Sequence, residues 1–494
     1  MPLVEEDSAA MMPGADTYGR DIGCEPPLRA QRPAEPTKAW DVKRSAMITT
    51  GANATVSVLS VFTGVMAARL LGPKGRGELA AIQAWPSVLA SLAMLGAPDA
   101  MLYYCAREPL KRNSYFSAAL LIGTAGALFF SVAGFIAMPW LLSLQSAAVV
   151  WGARVFLFQI WMYLLIAMPA EALRAMGRFT PWNFVRICPM VLWVGIFAAA
   201  WVGGRRAAVP IASAYIALGW LILLPVVRFL RVDGFRLILP RWREVQDTLK
   251  FGLPVVGTFM PRVLNLRLDQ ILMAGLLPPA VLGQYVVGVA WSNAGAPLMH
   301  GVSAVIVPKL AVRNGYGPGG PGSELARATR IGVVLAALTA VGLLALASAG
   351  IRIFFGARFA PAIPAARLLA VAGGVAGLNS ILSEGMRGLG RPGAVLRAEL
   401  AAFAITAAGL WLLLRPMGIY GAALVSLVAY AITTGWLLAE ALSVTRVPIT
   451  DFLIPRRRDL ALLLQTGRGA AAGGLSALAI ASATFAHVLR GRTA

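Results

Sequence analysis

The feature that most constrains this chain is a series of apolar runs, each about 18 residues or longer and separated by short polar stretches. A run of this length crosses a hydrocarbon core as an α-helix, which satisfies its own backbone hydrogen bonds. The composition agrees, because 58% of the 494 residues are hydrophobic and only 13% are charged. A soluble chain carries about a quarter charged residues. The sequence therefore predicts an all-α polytopic membrane protein.

Twelve of the runs form the predicted core of the bundle, and a weaker thirteenth follows near the end of the chain, which allows 13 or 14 helices in all. The core runs are 47–70, 78–104, 115–141, 147–173, 182–202, 208–229, 249–277, 281–310, 328–349, 362–386, 394–414 and 418–442. The thirteenth run spans 470–488.

The basic residues predict the orientation. The formal net charge is +22, and most of the Lys and Arg residues fall in every second loop. By the positive-inside rule, this pattern places the N-terminus in the cytoplasm. The location we expect for the protein is the bacterial cytoplasmic (inner) membrane. The pattern also explains the charge without nucleic acid as a partner. Residues 1–44 lack an apolar signal-peptide core and are predicted to be a disordered cytoplasmic tail.

Residues that would support metal, cofactor or ATP chemistry are sparse. The cysteines Cys24, Cys105 and Cys188 are far apart, and the histidines are His300 and His487. No spacing fits a disulfide framework or a metal site, and the chain contains no phosphate-binding P-loop motif. We expect no cofactor, no metal, no catalytic residue and no enzymatic activity.

An internal repeat predicts how the helices are grouped. Residues 70–77 (LLGPKGRG) match 276–283 (LLPPAVLG), and residues 171–178 (EALRAMGR) match 384–391 (EGMRGLGR). Six predicted helices separate equivalent points, so the two copies run the same way through the membrane. The sequence thus predicts two parallel six-helix lobes around a central cavity, a known plan of secondary transporters.

The repeat also sets the predicted domain boundaries. The lobes would span 45–232 and 249–442, joined by a cytoplasmic linker at 233–248. Residues 443–494 would form a basic loop followed by a possible extra transmembrane helix.

Ionisable residues inside membrane helices are costly, so each is a candidate for a cavity. The densest cluster is in the seventh helix, where Arg262, Asn265 and Asp269 fall on one face at helical spacing. This stripe would bind an anionic substrate through Arg262, or Arg262 and Asp269 would form a structural ion pair. Arg267 points from nearly the opposite side, toward a neighbouring helix or the membrane interface.

Further candidates lie elsewhere in the bundle. Arg154 in the fourth helix and Asp99 after Pro98 are cavity candidates, with Gln159 and His300 as weaker ones. The repeated Glu-x-x-Arg-x-x-Gly-Arg motif would gather phosphates at the cytoplasmic entrance, or serve as membrane anchoring with the glutamates paired at i,i+3. Its arginines are Arg174, Arg178, Arg387 and Arg391.

Several segments resemble the O-antigen (Wzx-type) flippases of the multidrug/oligosaccharidyl-lipid/polysaccharide exporter superfamily. They are AARLLGPKGRGE at 67–78, LRLDQIL at 266–272, GQY at 283–285 and GIYGAA at 418–423. The resemblance implies two six-helix lobes around a cationic cavity. It also implies transfer of an undecaprenyl-diphosphate-linked oligosaccharide from the inner to the outer leaflet, and the thirteenth run departs from it.

The function predicted is therefore a flippase for surface polysaccharide, with a lipid-linked oligosaccharide as substrate. Its expected partners are membrane lipids, with a polysaccharide polymerase and glycosyltransferases as further candidates. The alternatives are a lipid II flippase, a drug or cation antiporter and, in a different class, an integral-membrane glycan polymerase or ligase. A cation antiporter would need more acidic than basic cavity residues.

Overall fold

The computed structural model describes residues 39–297, 299, 321–456 and 459. These residues form helices and contain no strand, as the sequence predicts. The predicted thirteenth run, His300, His487 and Cys24 lie outside the described residues. The α-helices of the first half are α1 (Ala39–Ala93), α2 (Ala97–Arg107), α3 (Arg112–Leu141), α4 (Ala147–Phe156), α5 (Phe158–Met162), α6 (Met168–Ala175), α7 (Phe179–Val202), α8 (Ala208–Gly219) and α9 (Leu223–Val232). Those of the second half are α10 (Trp242–Asn265), α11 (Leu268–Leu276), α12 (Pro279–Ser292), α13 (Pro321–Gly350), α14 (Ile363–Gly388), α15 (Pro392–Thr445) and α16 (Ile449–Leu453).

Two of the helices are hairpins. Eight segments of the described residues are long and apolar enough to cross a bilayer, and two of these have 61 and 54 residues, far more than one crossing needs. Gly72 in α1 and Gly418 in α15 have non-helical backbone angles with positive φ, which glycine adopts without strain. A Cβ on Gly421 would lie 2.4 Å from the carbonyl oxygen of Leu413, so the chain reverses at Gly418.

The reversal at Gly72 brings residues 60–67 and 76–87 to the walls of one cavity. Between the two hairpins lie α10–α11 and α12, and the described elements follow the order of the predicted runs. The predicted eighth run, 281–310, lies only partly within the described residues.

The repeat in the sequence is a repeat in the structure. In both copies the glutamate pairs with the arginine three residues later, Glu171 with Arg174 at 3.1 Å and Glu384 with Arg387 at 2.5 Å. In both copies the helix then ends at a left-handed glycine, with φ of 72° at Gly177 and 74° at Gly390. The predicted i,i+3 pairing and the glycine turns are therefore present twice.

The repeated Pro-x-x-x-Gly segments contact each other. A Cβ on Gly77 would lie 1.6 Å from the carbonyl oxygen of Pro279, and a Cβ on Gly283 would lie 2.0 Å from that of Pro73. Each glycine of one copy thus packs on the proline of the other, as expected for two halves related by a pseudo-twofold axis. We call this end of the molecule, where the chain turns at Gly72 and Gly418, the turn face.

Hydrogen bonds from Arg69 and Gln145 also join the halves at the turn face. The Arg69 Nε donates to the carbonyl oxygen of Phe354 at 2.7 Å. The Gln145 Nε2 donates to the carbonyl oxygen of Ala274 at 2.8 Å. Each bond ties the end of the first pass of one half to the end of the third pass of the other half. The turn face is therefore closed by backbone contacts and hydrogen bonds that follow the repeat.

The opposite end, where α3, α7 and α10 begin, carries most of the exposed arginines, and we call it the basic face. Here the two halves pack closely at Gly96. A Cβ added to Gly96 would lie 2.2 Å from the Gly252 carbonyl oxygen. The rings of Tyr103 and Phe251 stack beside this contact, with centroids 4.8 Å apart. The connection between α9 and α10 crosses the same face, and α10 begins seven residues before the predicted helix at 249, with Glu244 in its first turn.

The last described residues are bonded to α13 of the second half. The Arg330 Nε donates to Asp459 Oδ2 at 2.9 Å, and both side chains are buried. The backbone N–H of Arg456 donates to the same Asp459 oxygen, and Phe452 of α16 is buried in the apolar cluster beneath α13 to α15.

Candidate functional site

The predicted polar stripe of the seventh helix is divided by a break. α10 ends at Asn265 and α11 begins at Leu268, with two prolines, Pro254 and Pro261, inside α10. Because residues 266 and 267 leave the helix, the stripe predicted from uninterrupted helical spacing is interrupted between Asn265 and Asp269.

Arg262 and Asn265 line a small cavity in the second half, of about 40 Å³. Its lining residues are Arg262, Asn265, Leu266, Ala376, Asn379, Ser380, Ser383, Glu399 and Tyr430. The Arg262 Nη1 lies 3.9 Å from Glu384 Oε1, and Thr406 Oγ1 donates to Asn265 Oδ1 at 2.8 Å. Nearby carboxylates thus balance the charge of Arg262, and the space admits only a few water molecules.

Asp269 lies outside both cavities described here. The Tyr285 hydroxyl donates to Asp269 Oδ2 at 2.5 Å, and the backbone N–H of Gln270 donates to Asp269 Oδ1 at 2.7 Å. Both Asp269 and Tyr285 are buried. The aspartate therefore joins α11 to α12 rather than pairing with Arg262.

A larger cavity of about 320 Å³ lies in the first half and reaches Arg267 at the break in the seventh helix. Its walls come from the two arms of α1, from the α4–α5 region and from α7. The lining residues are Ser60, Thr63, Gly64, Ala67, Arg76, Leu79, Gln83, Ser87, Phe156, Gln159, Met190, Trp193, Phe197 and Arg267. We call this the large cavity.

The large cavity is cationic. Two arginines, Arg76 and Arg267, line it, and none of the described lining residues is Asp or Glu. No described ion pair within 4.0 Å includes either arginine. The Oε1 atom of Gln159, a residue of this wall, is buried without a hydrogen-bond partner among the described residues.

The rest of the wall supplies hydroxyl groups and aromatic rings that are fixed by stacking on neighbouring rings. The ring of Trp193 stacks on Tyr215 at a centroid distance of 4.2 Å and on Phe197 at 5.3 Å. Phe156 also stacks on Tyr215, and it precedes the irregular turn at Leu157 that separates α4 from α5. Fixed aromatic surface beside guanidinium groups can bind a sugar ring and an anion side by side.

The predicted runs 47–70 and 78–104 leave Arg76 in the loop between two helices, so it is not among the predicted site residues. The structure places it in the second arm of α1, because the helix restarts directly after Gly72 with Pro73 in its first turn. A signal was present in the sequence, since Arg76, Gln83 and Ser87 are spaced by seven and four residues and so share one helix face.

Arg154 and Asp99 do not line either cavity described here. The Arg154 Nε donates to the Phe135 carbonyl oxygen at 3.0 Å, and its guanidinium lies 4.4 Å and 4.8 Å from the ring centroids of Phe135 and Trp151. Both rings are exposed, so Arg154 lies on the outer surface of the bundle. Asp99 is exposed in the first turn of α2.

The four arginines predicted at the entrance have different surroundings on the basic face. Arg174 and Arg387 pair with glutamates in their own helices, as described above. The Arg178 Nη2 lies 3.5 Å from Asp233 Oδ1. Arg391 is exposed, and no described ion pair includes it.

Comparisons with solved structures find several membrane transporters with a similar fold. The lipid II flippase MurJ in an inward closed conformation superposes with a TM-score of 0.65 at 16% identity, covering 89% of this chain and 98% of that one. The MATE multidrug transporter DinF-BH gives a TM-score of 0.55 at 17% identity, covering 83% and 98%. An inward-facing MATE family transporter of the MOP superfamily gives 0.55 at 15% identity, covering 82% and 96%.

At these levels of identity, the TM-scores show that the chain shares the fold of these proteins. No curated protein sequence matches the chain. The model of the family described as polysaccharide biosynthesis protein matches residues 42–311, more than half of the 494 residues. The chain therefore belongs to the polysaccharide biosynthesis protein family.

Proposed function

We propose that this protein flips a polyprenyl-diphosphate-linked oligosaccharide from the inner to the outer leaflet of the bacterial cytoplasmic membrane, for surface polysaccharide synthesis. The observation that carries the proposal is the large cavity, whose walls hold Arg76 and Arg267 and no described Asp or Glu. Guanidinium groups form paired, charge-assisted hydrogen bonds with phosphate oxygens. A diphosphate supplies the negative charge that the described lining of this cavity lacks.

The size and shape of the cavity fit the head of such a substrate. A volume of about 320 Å³ is at the lower end of small-ligand pockets. The diphosphate would bind between Arg76 and Arg267, and the first sugar would lie against the Trp193 and Phe197 side of the wall. The polyprenyl chain would remain in the surrounding bilayer.

The positive charge of the large cavity helps to distinguish the alternative functions. A drug or cation antiporter would need carboxylates in its transport cavity, and the described carboxylates near Arg262 lie around the small cavity instead. A lipid II flippase remains the second candidate, because lipid II also carries a diphosphate and MurJ has this fold. The similarity to transporters favours transport over glycan polymerisation.

The test compares Arg76→Gln/Arg267→Gln with wild type in a strain lacking the gene. We expect the double variant to restore little surface polymer and to accumulate lipid-linked repeats, because a lost charge-assisted hydrogen bond weakens binding about tenfold or more. Arg205→Gln/Arg206→Gln is the matched control, since both arginines are exposed in the turn between α7 and α8. Surface polymer, lipid-linked intermediates and membrane protein levels are quantified together.

The outcomes separate the candidates. Loss of polymer in the double variant at normal protein level supports the proposal. Normal polymer in the deletion strain, with accumulation of lipid II, would favour the second candidate. Equal failure of the control variant would show that total positive charge, and not the cavity, limits export.

A further inference from the structure

The connection between α9 and α10 is held against the basic face by ordered contacts. The backbone N–H of Arg236 donates to Asn113 Oδ1 at 3.3 Å, and that of Ile238 donates to Ser117 Oγ at 3.1 Å. The buried ring of Phe235 packs against Phe116, with centroids 5.0 Å apart. We call residues 236–243 the linker strap. Its path over the first turns of α3 is fixed.

Although its backbone is fixed, the linker strap turns large apolar side chains outward. Leu237, Leu239 and Trp242 are 74%, 95% and 69% exposed. Apolar side chains in an ordered, non-membrane segment normally pack inward, and a cluster that faces outward marks a contact with an apolar surface. Because the strap joins the ends of two membrane helices, the apolar surface within its reach is the bilayer.

The same stretch carries an excess of exposed positive charge. Its basic residues and those of the adjoining helix ends are all exposed, and no described ion pair includes them: Arg228, Arg231, Arg236, Arg241, Arg243 and Lys250. The nearby acidic residues are fewer and less exposed, with Glu244 buried, Asp247 half-buried and the Asp233 carboxylate facing Arg178. The outer surface of the strap is therefore apolar and cationic at once.

We infer that the linker strap binds anionic phospholipid headgroups of the leaflet on the basic face, which the positive-inside rule assigns to the cytoplasm. Leu237, Leu239 and Trp242 enter the boundary between headgroups and acyl chains, where tryptophan is favoured. The arginines between them extend to the phosphates, as long basic side chains do at interfaces. This inference is independent of the substrate of the transporter.

The first test measures the position of the strap in the bilayer. A spin label on Leu239→Cys, in a chain whose Cys24, Cys105 and Cys188 are replaced by alanine, is reconstituted in vesicles of phosphatidylcholine with or without phosphatidylglycerol. We expect the label to be accessible to oxygen from the lipid phase and shielded from an aqueous nickel complex, more so with phosphatidylglycerol. A label that remains fully accessible to the aqueous complex in both vesicles would overturn the proposal.

The second test measures lipid binding to the purified full-length chain by native mass spectrometry, with phosphatidylglycerol as the probe. For Arg236→Gln/Arg241→Gln/Arg243→Gln we expect affinity to fall about fivefold for each arginine removed. The control Arg205→Gln/Arg206→Gln removes exposed charges from the turn face and should retain wild-type affinity. If the control loses as much lipid as the triple variant, or if the triple variant loses none while its thermal unfolding is unchanged, the strap is not the site.

Discussion

At the scale of single residues, the partner of each arginine decides what that arginine can do. Arg262 has carboxylates beside it, Arg154 has two aromatic rings, and Arg330 is bonded to Asp459. Arg76 and Arg267 have no described ion pair and line the large cavity. The sequence identifies arginines inside membrane helices but not their partners, which come from other helices. Arg76 is missed for a different reason, since the predicted runs 47–70 and 78–104 leave it in a loop while the structure places it inside α1.

The buried pair of Arg330 and Asp459 yields a stability prediction. Removing one member of a buried ion pair leaves the other charge without compensation, at a cost of about 3–5 kcal/mol. We expect Asp459→Asn to lower the free energy of unfolding by about 3 kcal/mol, measured by thermal unfolding in detergent. The control Glu440→Gln breaks an exposed pair with Arg397 and should cost at most about 1 kcal/mol. Equal effects of the two variants would contradict the assignment.

The same pair predicts a dependence on pH. Burial raises the pKa of Asp459, but hydrogen bonds from Arg330 and from the backbone N–H of Arg456 outweigh it and hold the pKa below the ordinary 3.8. A depressed carboxyl pKa stabilises the folded state above the unfolded pKa, and this stabilisation is lost as pH falls through the folded value. The difference in Tm between wild type and Asp459→Asn should therefore be full at pH 7 and shrink below about pH 4. A difference that does not change with pH would exclude a titrating Asp459.

At the scale of helices, glycine and proline determine where the predicted runs differ from the observed elements. Runs that look separate in the sequence are joined as hairpins at Gly72 and Gly418, because a single glycine with positive φ is enough to reverse the chain. The seventh helix, which hydropathy predicts as one run, breaks at residues 266 and 267. Apolar periodicity predicts membrane helices well, but it does not register a change of direction made by one or two residues.

The contact between Gly77 and Pro279 yields a prediction for packing. A Cβ at position 77 would overlap the backbone of α12, which cannot move aside as a flexible side chain can. We expect Gly77→Ala to separate the halves at the turn face and lower the Tm by several degrees. Gly342→Ala in α13, where a Cβ would meet nothing within 4 Å, is the control and should be neutral or slightly stabilising.

The same variant can be followed by labelling. A cysteine placed at Lys74, which is exposed beside the contact, should react faster with a bulky thiol reagent in the Gly77→Ala chain than in wild type. An unchanged Tm together with an unchanged labelling rate would show that the two segments do not pack as described.

At the scale of the whole molecule, the sequence repeat predicts the two-half plan because both copies retain the same pairs and turns. It does not predict how the halves differ. The large cavity is in the first half and is cationic, while the equivalent region of the second half holds a small, charge-balanced cavity. This asymmetry depends on a few positions, such as Glu399 and Gln159, that the matching motifs do not include.

The proposed function predicts that transport responds to the membrane potential. A potential that is negative inside favours outward movement of negative charge by about 2.3 kcal/mol per charge per 100 mV. In proteoliposomes with a potassium diffusion potential set by valinomycin, outward flipping of the diphosphate-linked substrate should accelerate when the basic-face side is negative. A rate that is independent of the sign of the potential would show that the net charge moved is zero.

The reciprocal packing of Gly77 on Pro279 and of Gly283 on Pro73 has a consequence for how such a chain could arise. A chain of half this length could make the same contact with a second copy of itself, since each half supplies both the glycine and the proline. In such a homodimer every substitution would appear on both sides of the axis. Once the halves are fused in one gene, a mutation changes only one side. The joined chain can then keep the shared contact on the axis while one half specialises for binding and the other for support.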